Sequence, residues 1–194
     1  MGKKYLGKNP LNTLMGIVLD VMPSKELSEE DTKSLWEDVI NPPKVIEVAP
    51  DGALSNWDYT LDDASNSVTL NKYTGNQYTG SKIDVIVYGR YQLNGKIYDT
   101  KIGSNPTNST YMFAKTDNIR TITFNEGIDT SNVTSMSYMF FGCESLIQIN
   151  GLEYFDTSNV TSMYCMFSEC ELLRSLDITS FDTSNVTNMS YMFH

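Results

Sequence analysis

Residues 156–167 read Asp156-Thr157-Ser158-Asn159-Val160-Thr161-Ser162-Met163-Tyr164-Cys165-Met166-Phe167. A nearly identical string stands earlier as Asp129-Thr130-Ser131-Asn132-Val133-Thr134-Ser135-Met136-Ser137-Tyr138-Met139-Phe140. It returns as Asp182-Thr183-Ser184-Asn185-Val186-Thr187-Asn188-Met189-Ser190-Tyr191-Met192-Phe193. The copies begin at positions 129, 156 and 182, offsets of 27 and then 26 residues. A degenerate copy, Ser104-Asn105-Pro106-Thr107 with Tyr111-Met112-Phe113, lies 27 residues ahead of its counterparts. Self-similarity at this period marks units that cannot bury their apolar side alone and do so by stacking.

Within the first full copy, Val133, Met136, Met139 and Phe140 fall at i, i+3, i+6 and i+7, the spacing of one face of successive helical turns. Thr130, Ser131 and Asn132 precede that face, where their side chains can satisfy free backbone N–H groups. Leu146 and Ile149 then mark a short strand with Gln148 alternating outward. The second copy supplies Val160, Met163, Met166, Phe167, Leu173 and Leu176 to the same core, and the third supplies Val186, Met189, Met192 and Phe193. Burying each such side chain contributes about 1.5–3 kcal/mol, set against ordering costs of about 1–2 kcal/mol per residue. The balance is favourable only when copies stack. The outward strand positions, Gln148 and Asn150 in one repeat and Ser175 and Asp177 in the next, are the candidate binding residues.

The run Phe155-Asp156-Thr157-Ser158-Asn159-Val160-Thr161-Ser162-Met163, followed by Met166-Phe167, Cys170 and Leu173, closely resembles the BspA-like leucine-rich repeat family. Its repeats occur in bacterial surface proteins, with relatives in phage and prophage proteins. The resemblance implies a leucine-rich-repeat solenoid that binds or adheres through its strand face, and it carries no catalytic residue to transfer. The run from Tyr73-Thr74-Gly75 to Asn94-Gly95-Lys96-Ile97-Tyr98 looks like the β segment that often precedes such repeats.

Residues 46–103 read as β-rich. Val45-Ile46-Glu47-Val48, Ser67-Val68-Thr69-Leu70 and Ile83-Asp84-Val85-Ile86-Val87-Tyr88 are β-branched or alternating runs, separated by Pro50-Asp51-Gly52, Tyr73-Thr74-Gly75-Asn76 and Asn94-Gly95. Asn94-Gly95 between apolar flanks is a strong hairpin signal. Residues 1–45 read as a helical attachment or packing segment. Ser28-Glu29-Glu30-Asp31 starts a helix, Leu35, Trp36, Val39 and Ile40 give its apolar face, and Pro42-Pro43 stops it. The expected fold is therefore α+β, a solenoid of 26- to 27-residue repeats over residues 104–194, each a short strand plus a helical turn, behind the β cap of residues 46–103. The third copy reaches Met192-Phe193-His194 without a strand or polar cap, so the array is expected to be incomplete there or to dock on something.

The chain has 194 residues and a net charge of −10, enough for one ordinary domain or two small ones. Residues 104–194 set Lys115, Arg120 and Arg174 against ten acidic residues, which excludes a phosphate-neutralising surface and with it nucleic acid as a partner. No apolar stretch is long enough to span a membrane. Lys3 and Lys4 precede the apolar run from Leu14 to Leu19, but Asp20 interrupts it, so no clear signal peptide is expected.

The only histidine is His194, and no phosphate-binding glycine loop is present, so catalysis, a cofactor and a metal are not expected. Cys143, Cys165 and Cys170 form neither a disulfide framework nor a metal signature; Cys143 and Cys170 read as stacked buried thiols. Asn132, Asn159 and Asn185 are formal glycosylation acceptors, and Asp129, Asp156 and Asp182 form a potential acidic ladder for a cation; for both sets, backbone capping is the preferred reading. These features point to a non-enzymatic module of a bacterial surface or secreted protein that recognises a protein or cell-surface macromolecule. The alternative is a component of a phage, prophage or tail-like particle attached through residues 1–45, and the same segment is a candidate for self-association.

Overall fold

The computed structural model divides the chain into two units, residues 1–45 and 46–194. It describes residues 46–75, 81–103 and 112–194. The helix expected over Ser28–Ile40, and the roles expected of residues 1–45, lie outside the described residues, as do Ser104–Tyr111 of the degenerate copy.

Six strands come from the segment before the repeats: β1 (Val48–Ala49), β2 (Trp57–Asp62), β3 (Ser67–Tyr73), β4 (Ile83–Val87), β5 (Arg90–Leu93) and β6 (Lys96–Ile102). Five of them form one sheet in the order β1-β5-β6-β3-β2. Asn94 (φ 52°) and Gly95 (φ 78°) are both left-handed, which is the backbone a two-residue hairpin needs to match strand twist. They join β5 to β6 in antiparallel register, Leu93 opposite Lys96. At the β2–β3 turn, Asp62 Oδ1 accepts hydrogen bonds from the Ala64 and Ser65 N–H groups and Asn66 turns the chain at φ 50°. Val68, Leu70, Tyr91, Tyr98 and Ile102 point into the core.

β4 does not join that sheet. It pairs in parallel with β7 (Ile119–Phe124), which pairs in parallel with β8 (Gln148–Asn150). Val85, Ile122 and Ile149 stand in register and are all buried. The segment preceding the repeats thus contributes the first strand of the repeats' own sheet.

The expected α+β solenoid of strand plus helical turn is not what forms. Among the described residues there is no α-helix; there are two sheets and two short 3-10 turns, Ala53–Asn56 and Leu152–Tyr154. The reason lies in where the backbone N–H groups go. In the first full copy the N–H groups of Met139, Phe141 and Cys143 close three-residue turns onto Met136, Tyr138 and Phe140. The alternate ones, from Met136, Tyr138, Phe140 and Gly142, donate instead to Ser162, Tyr164, Met166 and Ser168 of the next copy. The second copy repeats the scheme, with Met163, Cys165, Phe167 and Glu169 donating to Asn188, Ser190, Met192 and His194. A helix would spend every donor within its own turn. Here half of them tie one copy to the next. Tyr138 (φ 59°) and Gly142 (φ 67°) are left-handed and interrupt any helical run. Successive three-residue turns mimic the i, i+3 spacing of a helix face, which is why the pattern reads as one.

Side chains stack in columns as a result. The rings of Phe113, Phe140, Phe167 and Phe193 follow one another at 5.7, 5.3 and 5.7 Å, within 7° of parallel. Val133, Met136, Met139, Leu146, Val160, Met163, Met166 and Met192 are buried beside them. Leu173, Leu176 and Val186 are half-buried, and Met189 and Phe193 are exposed at 42% and 63%. Thr130 and Thr157 are buried hydroxyls that join copies twice over. Thr130 Oγ1 donates to the Asp156 carbonyl and accepts from the Asp156 N–H at 3.0 and 2.8 Å. Thr157 does the same with Asp182 at 3.1 and 2.7 Å.

Candidate functional site

The exposed face of the β4-β7-β8 sheet is the candidate site. Alternation along each strand sends Val85, Ile122 and Ile149 inward, which leaves two rows facing solvent. Asp84, Thr121 and Gln148 form one row, and Ile86, Thr123 and Asn150 the other. The rows are laced together. Arg120 donates through Nε and Nη2 to the two carboxylate oxygens of Asp84, at 3.1 and 2.6 Å. Thr121 Oγ1 donates to Asp84 Oδ1 at 2.7 Å. Asn150 Nδ2 donates to Thr123 Oγ1 at 3.2 Å, and Gln148 Nε2 donates to Asn150 Oδ1 at 2.7 Å.

The Arg120 guanidinium, with the Thr121 hydroxyl, holds the Asp84 carboxyl down at about 2. Both partners of that ion pair are about half exposed, so the pair adds little stability. Its effect is geometric, because a two-pronged guanidinium fixes the carboxylate's orientation. Ile86 adds exposed apolar area at 46%.

Of the residues expected to bind, Gln148 and Asn150 sit side by side on β8, in contact with β7. Ser175 and Asp177 are exposed but lie on no strand. Asp177 Oδ1 accepts hydrogen bonds from the Thr179 N–H and hydroxyl, at 3.1 and 2.7 Å, which folds the chain into a turn there. Those bonds hold its carboxyl below the usual carboxylate range. Sequence reasoning missed Asp84, Ile86, Arg120, Thr121 and Thr123. The signal was present for β7: counting 27 residues back from Gln148, Ile149 and Asn150 gives Thr121, Ile122 and Thr123. Nothing in the period points to β4.

The other repeated polar residues close the backbone. Asp129 and Asp156 each accept from the N–H and the hydroxyl of the serine two places on, Ser131 and Ser158, at 2.6–3.0 Å. Asp182 accepts from the Ser184 N–H at 2.9 Å. Asn159 and Asn185 donate to the Ser131 and Ser158 carbonyls of the preceding copy, at 2.8 Å each. Those side chains stitch copies together. Cys143 and Cys170 are free thiols that donate to the Phe113 and Phe140 carbonyls at 3.1 Å. Contact with Cys143, together with burial, pushes the Cys170 thiol up.

Stacked turns that carry a short parallel sheet define a repeat-type scaffold. Residues 107–194 match the family described as "Mycoplasma protein of unknown function, DUF285", and the repeats resemble the BspA-like type. Two solved structures are similar. One is a leucine-rich repeat protein from Bacteroides ovatus ATCC 8483, at 17% identity and a TM-score of 0.44, over 72% of this chain and 33% of that one. The other is a leucine rich cell surface protein from Faecalibacterium prausnitzii A2-165, at 24% identity and a TM-score of 0.38, over 72% of this chain and 31% of that one. The chain therefore spans about a third of the length of each. Comparison with curated proteins gives no match.

Proposed function

We propose that the chain is a non-enzymatic binding module of a bacterial surface or secreted protein, and that it holds a macromolecular partner on the exposed face of the β4-β7-β8 sheet. The observation that carries this reading is the pair of outward rows Asp84-Thr121-Gln148 and Ile86-Thr123-Asn150. They combine fixed hydrogen-bonding groups with one exposed apolar side chain, Ile86, on a paired sheet. Side chains already held in place by one another lose little freedom on binding, which favours recognition. The resemblance of the repeats to the BspA-like type supports the same reading.

The test is surface plasmon resonance of the immobilised chain against a panel of matrix and microbial surface glycoproteins. The chain is expected to retain at least one of them. The double substitution Gln148→Ala with Asn150→Ala should weaken that binding about tenfold, roughly 1.4 kcal/mol, with unchanged circular dichroism. Equal binding by the variant, or no binding by the parent chain to any member, refutes the assignment.

A further inference from the structure

A second surface runs along the turns of the repeats, away from their strands. The rings of Tyr138, Tyr164 and Tyr191 follow one another at 5.1 and 6.0 Å, each nearly perpendicular to the next (78° and 89°). Phe141 extends the row, with its ring 5.4 Å from that of Tyr138. Tyr191 is 60% exposed, and Tyr138, Phe141 and Tyr164 are half-buried. The core does not depend on them, since its buried ring column is Phe113, Phe140 and Phe167, continued by the exposed Phe193.

Two details show that the row is more than a by-product of repetition. Tyr138 (φ 59°) and Tyr191 (φ 58°) occupy the left-handed position of their copies, a backbone that disfavours large side chains. In the middle copy that position belongs to Cys165 (φ 53°), and the tyrosine stands one residue earlier. The Tyr164 ring nevertheless falls between the other two. The row stays continuous across a shift of register.

The chemistry of the row favours cations. Aromatic faces carry negative potential and attract ammonium and guanidinium groups. One cation already occupies such a place: Lys115 Nζ lies 5.9 Å from the centroid of the Phe141 ring. Negative charge stands close by, because Gly142, next to Phe141, is flanked by the Lys115 side chain and the Glu169 carboxylate. Residues 112–194 as a whole set three basic residues against ten acidic ones. The ring spacing is comparable to the roughly 6.6 Å between alternate side chains of an extended chain.

We propose that Tyr138, Phe141, Tyr164 and Tyr191, with Glu169 near the Phe141 end of the row, form a docking rail for an extended basic segment of a protein partner. Lysine or arginine heads lie over the rings and their aliphatic stems run along them. This surface is independent of the sheet face.

The test is isothermal titration of the full chain with a short oligoarginine peptide at about 0.15 M salt, where long-range attraction between exposed charges is largely screened. Wild-type protein is expected to bind. Tyr164→Leu with Tyr191→Leu keeps the net charge and should weaken binding about tenfold. Tyr191→Leu alone should weaken it about threefold, as loss of one exposed cation–π contact allows, and Tyr191→Phe should restore it. Tyr191 is the most exposed ring of the row, so its single variant decides the matter even if the double variant folds poorly. Absence of binding by the wild-type protein, or leucine variants that bind as tightly as wild type, overturns the proposal. The second outcome would assign any attraction to the acidic surface alone.

Discussion

The five-stranded sheet and the repeat array face the same task, pairing buried backbone and filling a core, and meet it differently. In the sheet every junction is individual. β3 pairs antiparallel with β2 and parallel with β6, β5 pairs parallel with β1, and each turn has its own chemistry, Asn94-Gly95 at one and the Asp62 carboxylate at another. In the array one solution recurs, with alternate backbone N–H groups crossing to the next copy and Phe, Thr, Cys and Asn each forming a column. A defect in the sheet is therefore a local matter. A defect in a column is felt by the copies on both sides.

The sharpest way to break that contrast is to open the phenylalanine column. Phe140 is fully buried between the rings of Phe113 and Phe167, so Phe140→Ala should cost about 3–5 kcal/mol. Urea unfolding followed by circular dichroism measures it. A loss below about 1 kcal/mol, far under the roughly 3–5 kcal/mol that truncating a buried phenylalanine costs, would show that the columns do not carry the array.

A smaller effect compares two buried threonines. Thr157→Val removes a hydroxyl that satisfies both the N–H and the carbonyl of Asp182, and should cost about 2 kcal/mol. Thr100, buried on β6, has a hydroxyl with no hydrogen-bond partner among the described residues. Thr100→Val should therefore be neutral or slightly stabilising. Thermal melts of the two variants should move in different directions or by clearly different amounts. Equal shifts would erase the distinction between column and sheet threonines.

The smallest effect is at acid pH. Hydrogen bonds from Ser158 and Ser184 lower the carboxyls of Asp156 and Asp182 below their ordinary value of 3.8. A carboxyl lowered on folding contributes stability that is fully present above its unfolded value and is lost as pH falls through the folded one. The array should thus weaken as pH drops below about 4, and Asp156→Asn with Asp182→Asn should flatten that limb of a stability–pH curve. An unaltered limb would mean that these exposed caps do not couple folding to protonation.

Much of this architecture was legible in residue order. The repeat and its register follow from 27- and 26-residue offsets, because stacking demands the same residue at the same place. The β5–β6 hairpin follows from Asn94-Gly95, because few residue pairs tolerate two left-handed positions. Gln148 and Asn150 were legible as outward strand positions through simple alternation. The helical turn was misread because apolar spacing reports which side chains face inward and does not report where the N–H groups go. Tyr138, Gly142, Cys165 and Glu169, all left-handed, are what divert them. The Ser175 and Asp177 positions were misread as strand because alternation cannot see that Asp177 turns the chain onto Thr179.

By itself the sequence determined the period, most of the inward residues (Met189 and Phe193 are exposed instead) and the acidic balance, since each is a property of residue order and type. The tertiary structure decided the rest. It placed β4 at the head of the repeat sheet, bound Arg120 to Asp84, and brought Tyr164 into line with Tyr138 and Tyr191. Each of these joins positions that no local pattern connects: hydrogen bonds and ring contacts between stacked copies are set by which chain segment lies alongside, and that is fixed only when the whole core closes.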